Sequence, residues 1–284
     1  MRRRKHFTPY LKAIVIAFFI TLLLRLFVVD FYMIPTDSMT PAIEPGDYIM
    51  VNKLYKGARF YKQLKFESGK TPETFRVPGY SSIRRNDIVV FNLPTPLFSD
   101  QMEMDLSHFY VKRCIGLPGD TLSISNGIYT VNGQTGYGNL REQYLLSHYQ
   151  GEYLPGTYHT FPFDTTYAWT MRCFGPLFIP ATGQTILLDT VNLSLFRRLI
   201  YYETHTSLHT RHGKVYLKDS IITRYTFQKN WYFMAGDKIF NSRDSRYIGL
   251  IPEDFLIGKA VLVLYSKDPE TRQISWKRTL NLIR

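Results

Sequence analysis

The first thirty residues constrain this chain most, because a basic cluster leads directly into an apolar run. No charged residue occurs from position 13 to position 24, and after Arg25 the apolar run continues to Val29. As a helix rising about 1.5 Å per residue, this segment would reach roughly 26 Å, just enough to cross the hydrocarbon core of a bilayer. The residues before it include five basic side chains and no acid: Arg2, Arg3, Arg4, Lys5 and Lys12.

The sequence therefore predicts a transmembrane anchor at residues 13–29, preceded by a basic cytoplasmic segment, residues 1–12. By the positive-inside rule, everything after Asp30 lies on the outer side of the membrane. Two alternatives compete with a permanent anchor. A cleavable signal peptide needs small residues of the A-x-A type, which residues 26–34 do not provide, and a buried core helix does not explain the preceding basic cluster.

The charge of the chain also bears on its partners. Lys plus Arg number 35 and Asp plus Glu number 23, giving a net charge of +12, of which five charges precede the anchor. The remaining +7 favours contact with membrane lipids, and we expect no nucleic-acid partner. Cys114 and Cys173 are too few for a disulfide framework or a tetrahedral zinc site, so no metal is expected.

The rest of the chain is typical of an all-β protein with antiparallel strands. Asn126-Gly127 lies between two short alternating runs and predicts a hairpin with a type I′ turn, since this pair readily adopts positive φ angles. Helical periodicity is scarce. Strand-like segments occur at residues 47–51, 87–91, 109–115, 121–132, 231–235 and 260–265.

These segments predict a catalytic core that is interrupted by an insertion. The core comprises residues 30–121 and 231–265. The insertion, residues 122–230, is rich in Tyr, Thr and His and is expected to form a mostly β or irregular subdomain. A basic tail, residues 266–284, follows. The expected architecture is an antiparallel β-sheet core with an inserted β-rich subdomain, tethered by one N-terminal transmembrane helix.

Two segments carry residues suited to chemistry. The first is Ile34-Pro35-Thr36-Asp37-Ser38-Met39-Thr40-Pro41, in which two prolines stiffen the chain around one serine. Its local chemistry alone favours a linker turn. The second begins at Tyr110; as a strand it would place Lys112 on a largely apolar face, with Arg113 on the opposite face. A lysine in such a place either extends its amine to solvent or takes part in chemistry.

Together these segments resemble the bacterial type I signal peptidases, membrane-anchored serine proteases that use a serine–lysine dyad. The similarity covers five segments in family order: the anchor, the serine segment, residues 86–91, the lysine segment and residues 236–246. The resemblance implies that Ser38 is the nucleophile and Lys112 the general base. It also implies that Thr36 and the Ser38 N–H stabilise an oxyanion, that Ser242 orients the Lys112 amine, and that Asp244 and Arg246 form a structural ion pair.

The resemblance further implies the substrate and the location. Substrates would be exported preproteins carrying a signal peptide that ends in small residues, and no cofactor is needed. The enzyme would lie in the bacterial inner membrane, with its catalytic domain on the outer face. Residues implied to line the small-residue pockets are Ile34, Ile43, Ile49, Val90 and Val111.

Two features depart from the family pattern. Asp37 stands where the family usually has glycine, and Lys238-Ile239-Phe240 replaces a polar run. An ionised carboxylate next to Ser38 is expected to raise the pKa of Lys112. Two further hypotheses therefore stay open beside the active peptidase: a catalytically weakened paralogue that binds signal peptides without cutting, and a membrane-tethered β-rich scaffold. A cytosolic self-cleaving repressor shares the Ser–Lys chemistry, but the anchor argues against it.

Overall fold

The structure is a computed structural model that describes residues 7–63, 65, 71–97 and 99–284. Half of the basic segment, residues 1–6, therefore lies outside the described residues. The helices are α1 Phe7–Phe27, α2 Leu140–His148, α3 Leu193–Thr204 and α4 Ser245–Ile248, with 3-10 turns at Ile239–Asn241 and Glu253–Phe255. The strands are β1 Val29–Met33, β2 Asp47–Asn52, β3 Arg59–Tyr61, β4 Thr74–Arg76, β5 Ile88–Thr95, β6 Glu103–Gly116, β7 Thr121–Ser125, β8 Ile128–Val131, β9 Phe174–Phe178, β10 Thr185–Leu187, β11 Leu208–Arg211, β12 Lys214–Leu217, β13 Ser220–Ile221, β14 Arg224–Thr226, β15 Trp231–Ala235, β16 Ile251–Pro252, β17 Leu256–Ser266 and β18 Asn281–Leu282.

The apolar N-terminal run forms α1. Residues Pro9–Phe27 have a mean hydropathy of 2.1 over a span of 19 residues, and none of that helix is buried against the protein. Its length and composition are sufficient to cross a membrane. The helix begins before the predicted anchor, residues 13–29, and ends at Phe27, because Val29 already belongs to β1.

One large antiparallel sheet forms the core of the molecule. Its strand order is β1-β2-β17-β5-β6-β15-β16, and β18 adds to β17. Strand β5 is buried on both faces: Ile88 and Val90 belong to one hydrophobic cluster, and Val89 and Phe91 belong to the other. The alternation of side chains along a strand thus lets one sheet contribute to two cores. The all-β prediction with an antiparallel sheet is confirmed, since strands account for 35% of the described residues and helices for 19%.

Strand β6 positions the lysine. Lys112 is paired with Val89 of β5, and Arg113 with Ile88, so the two basic side chains point to opposite faces as the sequence predicted. On its other side β6 pairs with β15 only from Arg113 onward. Within the described part of the chain, the stretch of β6 before Arg113 therefore has an open edge on that side. Lys112 lies where this edge begins.

The insertion contains both the predicted hairpin and two helices that were not predicted. Strands β7 and β8 pair across Asn126-Gly127, whose φ angles are 48° and 81°. Helices α2 and α3 account for 21 of these 109 residues, so the segment is mostly β or irregular as expected. In α3, Phe196, Leu199 and Ile200 lie on one face and pack into a core shared with the large sheet. Residues of the predicted insertion are therefore packed against the large sheet.

The basic tail also packs on the core. Strand β18 pairs with β17, and Arg278 Nε donates a hydrogen bond of 3.1 Å to Asp47 Oδ1. Arg278 also lies 3.1 Å from Glu44 Oε1. Part of the positive charge of residues 266–284 is thus neutralised by acidic residues near the start of β2.

Candidate active site

The serine segment connects β1 to β2 and is fixed at both ends. Ile34 N donates to Asp47 O at 2.9 Å, and Gly46 N donates to Ile34 O at 2.8 Å. Met39 is 1% exposed and anchors the segment in the hydrophobic cluster beneath it. Ser38, one residue earlier, stays half-buried at the surface of this cluster. The segment is therefore a loop fixed by hydrogen bonds and packing, and not a free linker.

Lys112 contacts Ser38 directly, although the two residues are 74 positions apart. Lys112 Nζ donates a hydrogen bond of 2.6 Å to Ser38 Oγ. The lysine is 4% exposed, and burial lowers its pKa from 10.5 to about 8, with Asp244 and Asp237 opposing the shift and Arg246 adding to it. A useful fraction of the amine is consequently neutral near pH 7 to 8 and able to accept a proton.

The chain after β15 approaches the back of the serine segment. Lys238 N donates to Ser38 O at 3.0 Å. A Cβ placed on Gly236 would lie 2.1 Å from Ser242 Oγ and 2.7 Å from Ser38 O, so the position admits only glycine without displacing its neighbours. This close approach brings the third part of the site, residues 236–246, against the serine segment.

Ser242 is close to the site but does not form the expected hydrogen bond. Its hydroxyl is buried and has no hydrogen-bond partner among the described residues. It lies beside Gly236, the residue that also contacts the Ser38 carbonyl. The orienting role of Ser242 toward Lys112 stays a prediction.

Thr36 is exposed and lines the same cleft as Ser38 and Lys112. Within the described ranges, no group accepts a hydrogen bond from the Ser38 N–H. Both donors are thus available to an oxygen atom in the cleft. Their function as an oxyanion hole stays a prediction.

Asp244 and Arg246 form a fully buried ion pair. Arg246 Nε donates to Asp244 Oδ1 at 2.9 Å and Nη2 donates to Oδ2 at 2.8 Å. Asp244 Oδ2 also accepts the Gly236 N–H at 2.8 Å. Burial alone would raise the pKa of Asp244, but the charge and hydrogen bonds of Arg246 outweigh it and lower that pKa. The pair therefore stays ionised and fixes the loop.

Asp37 has two partners in the loop after β15. Its carboxylate forms an ion pair with Lys238 and accepts a 2.7 Å hydrogen bond from Asn241 Nδ2. The hydrogen bond from Lys238 lowers the pKa of Asp37, against an opposing contribution from burial. The sequence reasoning missed Lys238 and Asn241 as partners, although opposite charges at two departures from the family pattern were a signal for the pair.

The cleft around Ser38 has a volume of about 940 Å³. Strands β1 and β6 meet in it, with the rings of Tyr32 and Phe109 5.2 Å apart. Of the five predicted pocket residues, Ile34 and Val111 line the cleft. The other three are fully buried in the cluster beneath it and, as pocket residues, stay predictions: Ile43, Ile49 and Val90.

Metal chemistry has no candidate ligands in the described part of the chain, where no three His, Cys, Asp or Glu side chains cluster. The site combines the Ser38 hydroxyl, hydrogen-bonded to the buried amine of Lys112, with the open edge of a strand. This combination is typical of peptidases that activate a serine with a lysine.

The family is established by sequence. The family model described as "Signal peptidase, peptidase S26" matches residues 7–265, and the chain belongs to this family. It is therefore a serine peptidase, a hydrolase.

Two sequence relatives agree with this assignment. Signal peptidase I of Buchnera aphidicola is 25% identical over 295 residues, covering 100% of this chain and 82% of the relative. Signal peptidase I of Pseudomonas fluorescens is 33% identical over 259 residues, covering 87% of this chain and 69% of the relative. A solved signal peptidase I from Enterococcus faecalis is 18% identical with a TM-score of 0.29, covering 63% of this chain and 97% of that one.

Proposed function

We propose that this protein is a membrane-anchored serine endopeptidase that removes signal peptides from exported preproteins, with Ser38 as nucleophile and Lys112 as general base. The observation that carries the proposal is the 2.6 Å contact between Lys112 Nζ and Ser38 Oγ, made by a lysine whose pKa is lowered by burial to about 8. A neutral amine at hydrogen-bond distance is what a serine hydroxyl needs to become a nucleophile.

In the first half-reaction, Ser38 Oγ attacks the carbonyl carbon of the scissile bond while Lys112 accepts the hydroxyl proton. The carbonyl oxygen becomes an oxyanion, to which the Ser38 N–H and the Thr36 hydroxyl donate. Lys112, now an ammonium, gives its proton to the departing amine of the mature protein. An acyl-enzyme remains, in which the signal peptide is esterified to Ser38.

In the second half-reaction, water takes the place of the amine. Lys112 accepts a proton from the water as its oxygen attacks the ester carbonyl, and it returns this proton to Ser38 Oγ as the ester breaks. The signal peptide leaves with a new carboxyl terminus, and the enzyme regains its starting state. No cofactor takes part in either step.

The cleft supports binding of the substrate as an extended strand. Strand β6 has an open edge before Arg113, and β1 is an edge strand of the sheet. A peptide lying between them can hydrogen-bond to both backbones while alternate side chains enter pockets. Ile34 and Val111 line the cleft together with Ser38, and we expect their branched side chains to favour small side chains before the scissile bond.

Helix α1 supports a location at the membrane. Its outer surface is apolar, and in the sequence five basic residues precede position 13. The proposed topology places these basic residues in the cytoplasm and the sheet on the outer face of the inner membrane. Preproteins emerging there would present the end of their signal peptide close to Ser38. Lipid contact is part of this proposal; a nucleic-acid partner is not.

The test is a cleavage assay with the full chain in detergent and a preprotein that carries a signal peptide. We expect cleavage at the end of the signal peptide by the wild type and none by Ser38→Ala. Ser82→Ala is the matched control, since Ser82 is exposed and does not line the cleft. Equal cleavage by wild type and Ser38→Ala contradicts the active-peptidase proposal. Binding without cleavage by the wild type supports the weakened paralogue instead.

A further inference from the structure

The carboxylate next to the nucleophile is held on both of its oxygens by the loop after β15. Lys238 Nζ donates to Asp37 Oδ2, and Asn241 Nδ2 donates to Oδ1 at 2.7 Å. The backbone N–H of Lys238 also donates to Ser38 O at 3.0 Å. The Asp37 side chain is 33% exposed, so it is the two partners, and not enclosure by the protein, that fix its direction.

A free carboxylate at this position would oppose the reaction. The attack by Ser38 creates negative charge on the substrate oxygen, and a second negative charge a few ångströms away repels it. The same carboxylate would stabilise the ammonium form of Lys112 and so reduce the fraction of neutral base. Active serine–lysine chemistry therefore requires that the charge of Asp37 be neutralised or directed elsewhere.

We propose that Lys238 is a positioning residue that neutralises the Asp37 carboxylate and keeps it away from the reacting atoms, with Asn241 fixing the second oxygen. Lys238 acts through Asp37 and does not itself contact the Ser38 hydroxyl. The two departures from the family pattern are then one compensated pair. This inference rests on the proposed function, because it concerns the rate of the Ser38 reaction.

The effect of releasing Asp37 on the pH profile can be separated from the effects of the other charged groups around Lys112. Those charges come from the loop after β15, from α4 and from the cleft wall: Asp237, Asp244, Arg246 and Arg243. The ring of Tyr110, on the same strand, lies 5.3 Å from Lys112 Nζ. All of them are kept in the variants below, so a shift in the pH profile reports on Asp37 and Lys238.

The experiment is a double-mutant cycle on preprotein cleavage with Lys238→Met, Asp37→Asn and the double variant. We expect Lys238→Met to lower kcat about tenfold near pH 8, with KM within about twofold, and to move the rising limb of the pH profile upward. Asp37→Asn alone should lose less than about threefold. The double variant should recover most of the loss, because a neutral amide needs no compensating charge.

Two further variants act as controls. Lys238→Arg keeps the positive charge and should stay within about threefold of the wild type. Lys229→Met removes a different ion pair, Lys229–Asp254 at 2.6 Å. Its side chains are 34% and 30% exposed, similar to the 40% and 33% of the Lys238–Asp37 pair. Lys229→Met should leave kcat unchanged. Thermal unfolding of each variant checks that it is folded, and Lys238→Gln replaces Lys238→Met if the latter is not.

Some results overturn the inference. The first is a kcat of Lys238→Met equal to that of the wild type. The second is a loss of kcat in Asp37→Asn as large as that in Lys238→Met, with no recovery of kcat in the double variant. The latter result would show that the pair only tethers the loop. These outcomes are distinct from failure of the proposed function, in which the wild type itself does not cleave or Ser38→Ala cleaves equally well.

Discussion

Asp244 and Arg246 lie two positions apart and form two hydrogen bonds between their side chains, of 2.9 and 2.8 Å, with both side chains 0% exposed. The carboxylate also accepts the N–H of Gly236. The pair thereby joins the start of α4 to the loop that contacts Ser38. A buried ion pair of this kind keeps the two segments together, because separating the two side chains would leave an uncompensated charge in the interior.

Asp244→Asn should therefore destabilise the protein strongly. Removing one partner of a buried ion pair costs about 3–5 kcal/mol, which corresponds to a fall in the unfolding midpoint of roughly 10 °C for a chain of this size. Thermal unfolding in detergent measures this change in the unfolding midpoint. Asp100→Asn is the control, since the Arg197–Asp100 pair is 37% and 48% exposed and should contribute less than about 1 kcal/mol. Equal midpoints for the two variants would contradict the structural role.

Lys112→Met should stabilise the protein while abolishing cleavage. The difference between a pKa of 10.5 in the unfolded chain and about 8 in the folded protein corresponds to about 3 kcal/mol against folding below pH 8. The unfolded state binds more protons between these two values, so this penalty disappears as the pH rises from 8 to 10.5. Unfolding midpoints of wild type and variant should differ at pH 7 and converge above pH 10.5. A variant less stable than wild type at pH 7 would argue against a desolvated lysine.

Gly236→Ala should inactivate the enzyme through crowding. The added methyl group would lie 2.1 Å from Ser242 Oγ and 2.7 Å from Ser38 O, so the nucleophile segment has to shift. A displacement of about 1 Å can reduce the rate about 100-fold, and we expect kcat/KM to fall by at least this factor. Gly213→Ala is the comparison: it has a φ of +70° but no atoms within 4 Å of the added Cβ. It should lose about 1 kcal/mol of stability and keep its activity.

Val111→Ala should broaden substrate specificity. Val111 lines the cleft, and removing its two methyl groups enlarges the space for a side chain before the scissile bond. The ratio of kcat/KM for a valine-containing over an alanine-containing cleavage site should rise about tenfold. Ile43→Val provides the contrast, because Ile43 is buried beneath the cleft; it should lose about 1 kcal/mol of stability with no change in this ratio. A changed ratio in Ile43→Val would assign Ile43 to the pocket.

Much of the fold follows from local patterns in the sequence. The Asn126-Gly127 turn and the alternation of Lys112 and Arg113 both depend on neighbouring residues, and both are found in the structure. Helix α3 was missed because its apolar face, with Phe196 and Ile200, lies within a segment rich in tyrosine and threonine. Its stability comes from packing into the shared core, which a short sequence window does not show.

The site depends on contacts that local patterns cannot predict. Ser38 and Lys112 were paired from the family resemblance, and the structure brings them together across 74 positions. The Lys238–Asp37 pair joins residues 201 positions apart. That the positive charge of Lys238 offsets the negative charge of Asp37 can be seen only in the folded chain. The expectation that Asp37 raises the pKa of Lys112 stays a prediction, which the Asp37 variants test.

The most direct test of Lys112 as the base of Ser38 is the pH dependence of kcat/KM for one signal-peptide substrate, from about pH 6 to pH 10. The neutral amine is the active form, so the rate should rise with pH and level off, with an apparent pKa of about 8. Lys112→Met should show no activity at any pH in this range. A rising limb near pH 10.5 would mean that the lysine is not desolvated, and cleavage by Lys112→Met at the wild-type rate would contradict the dyad.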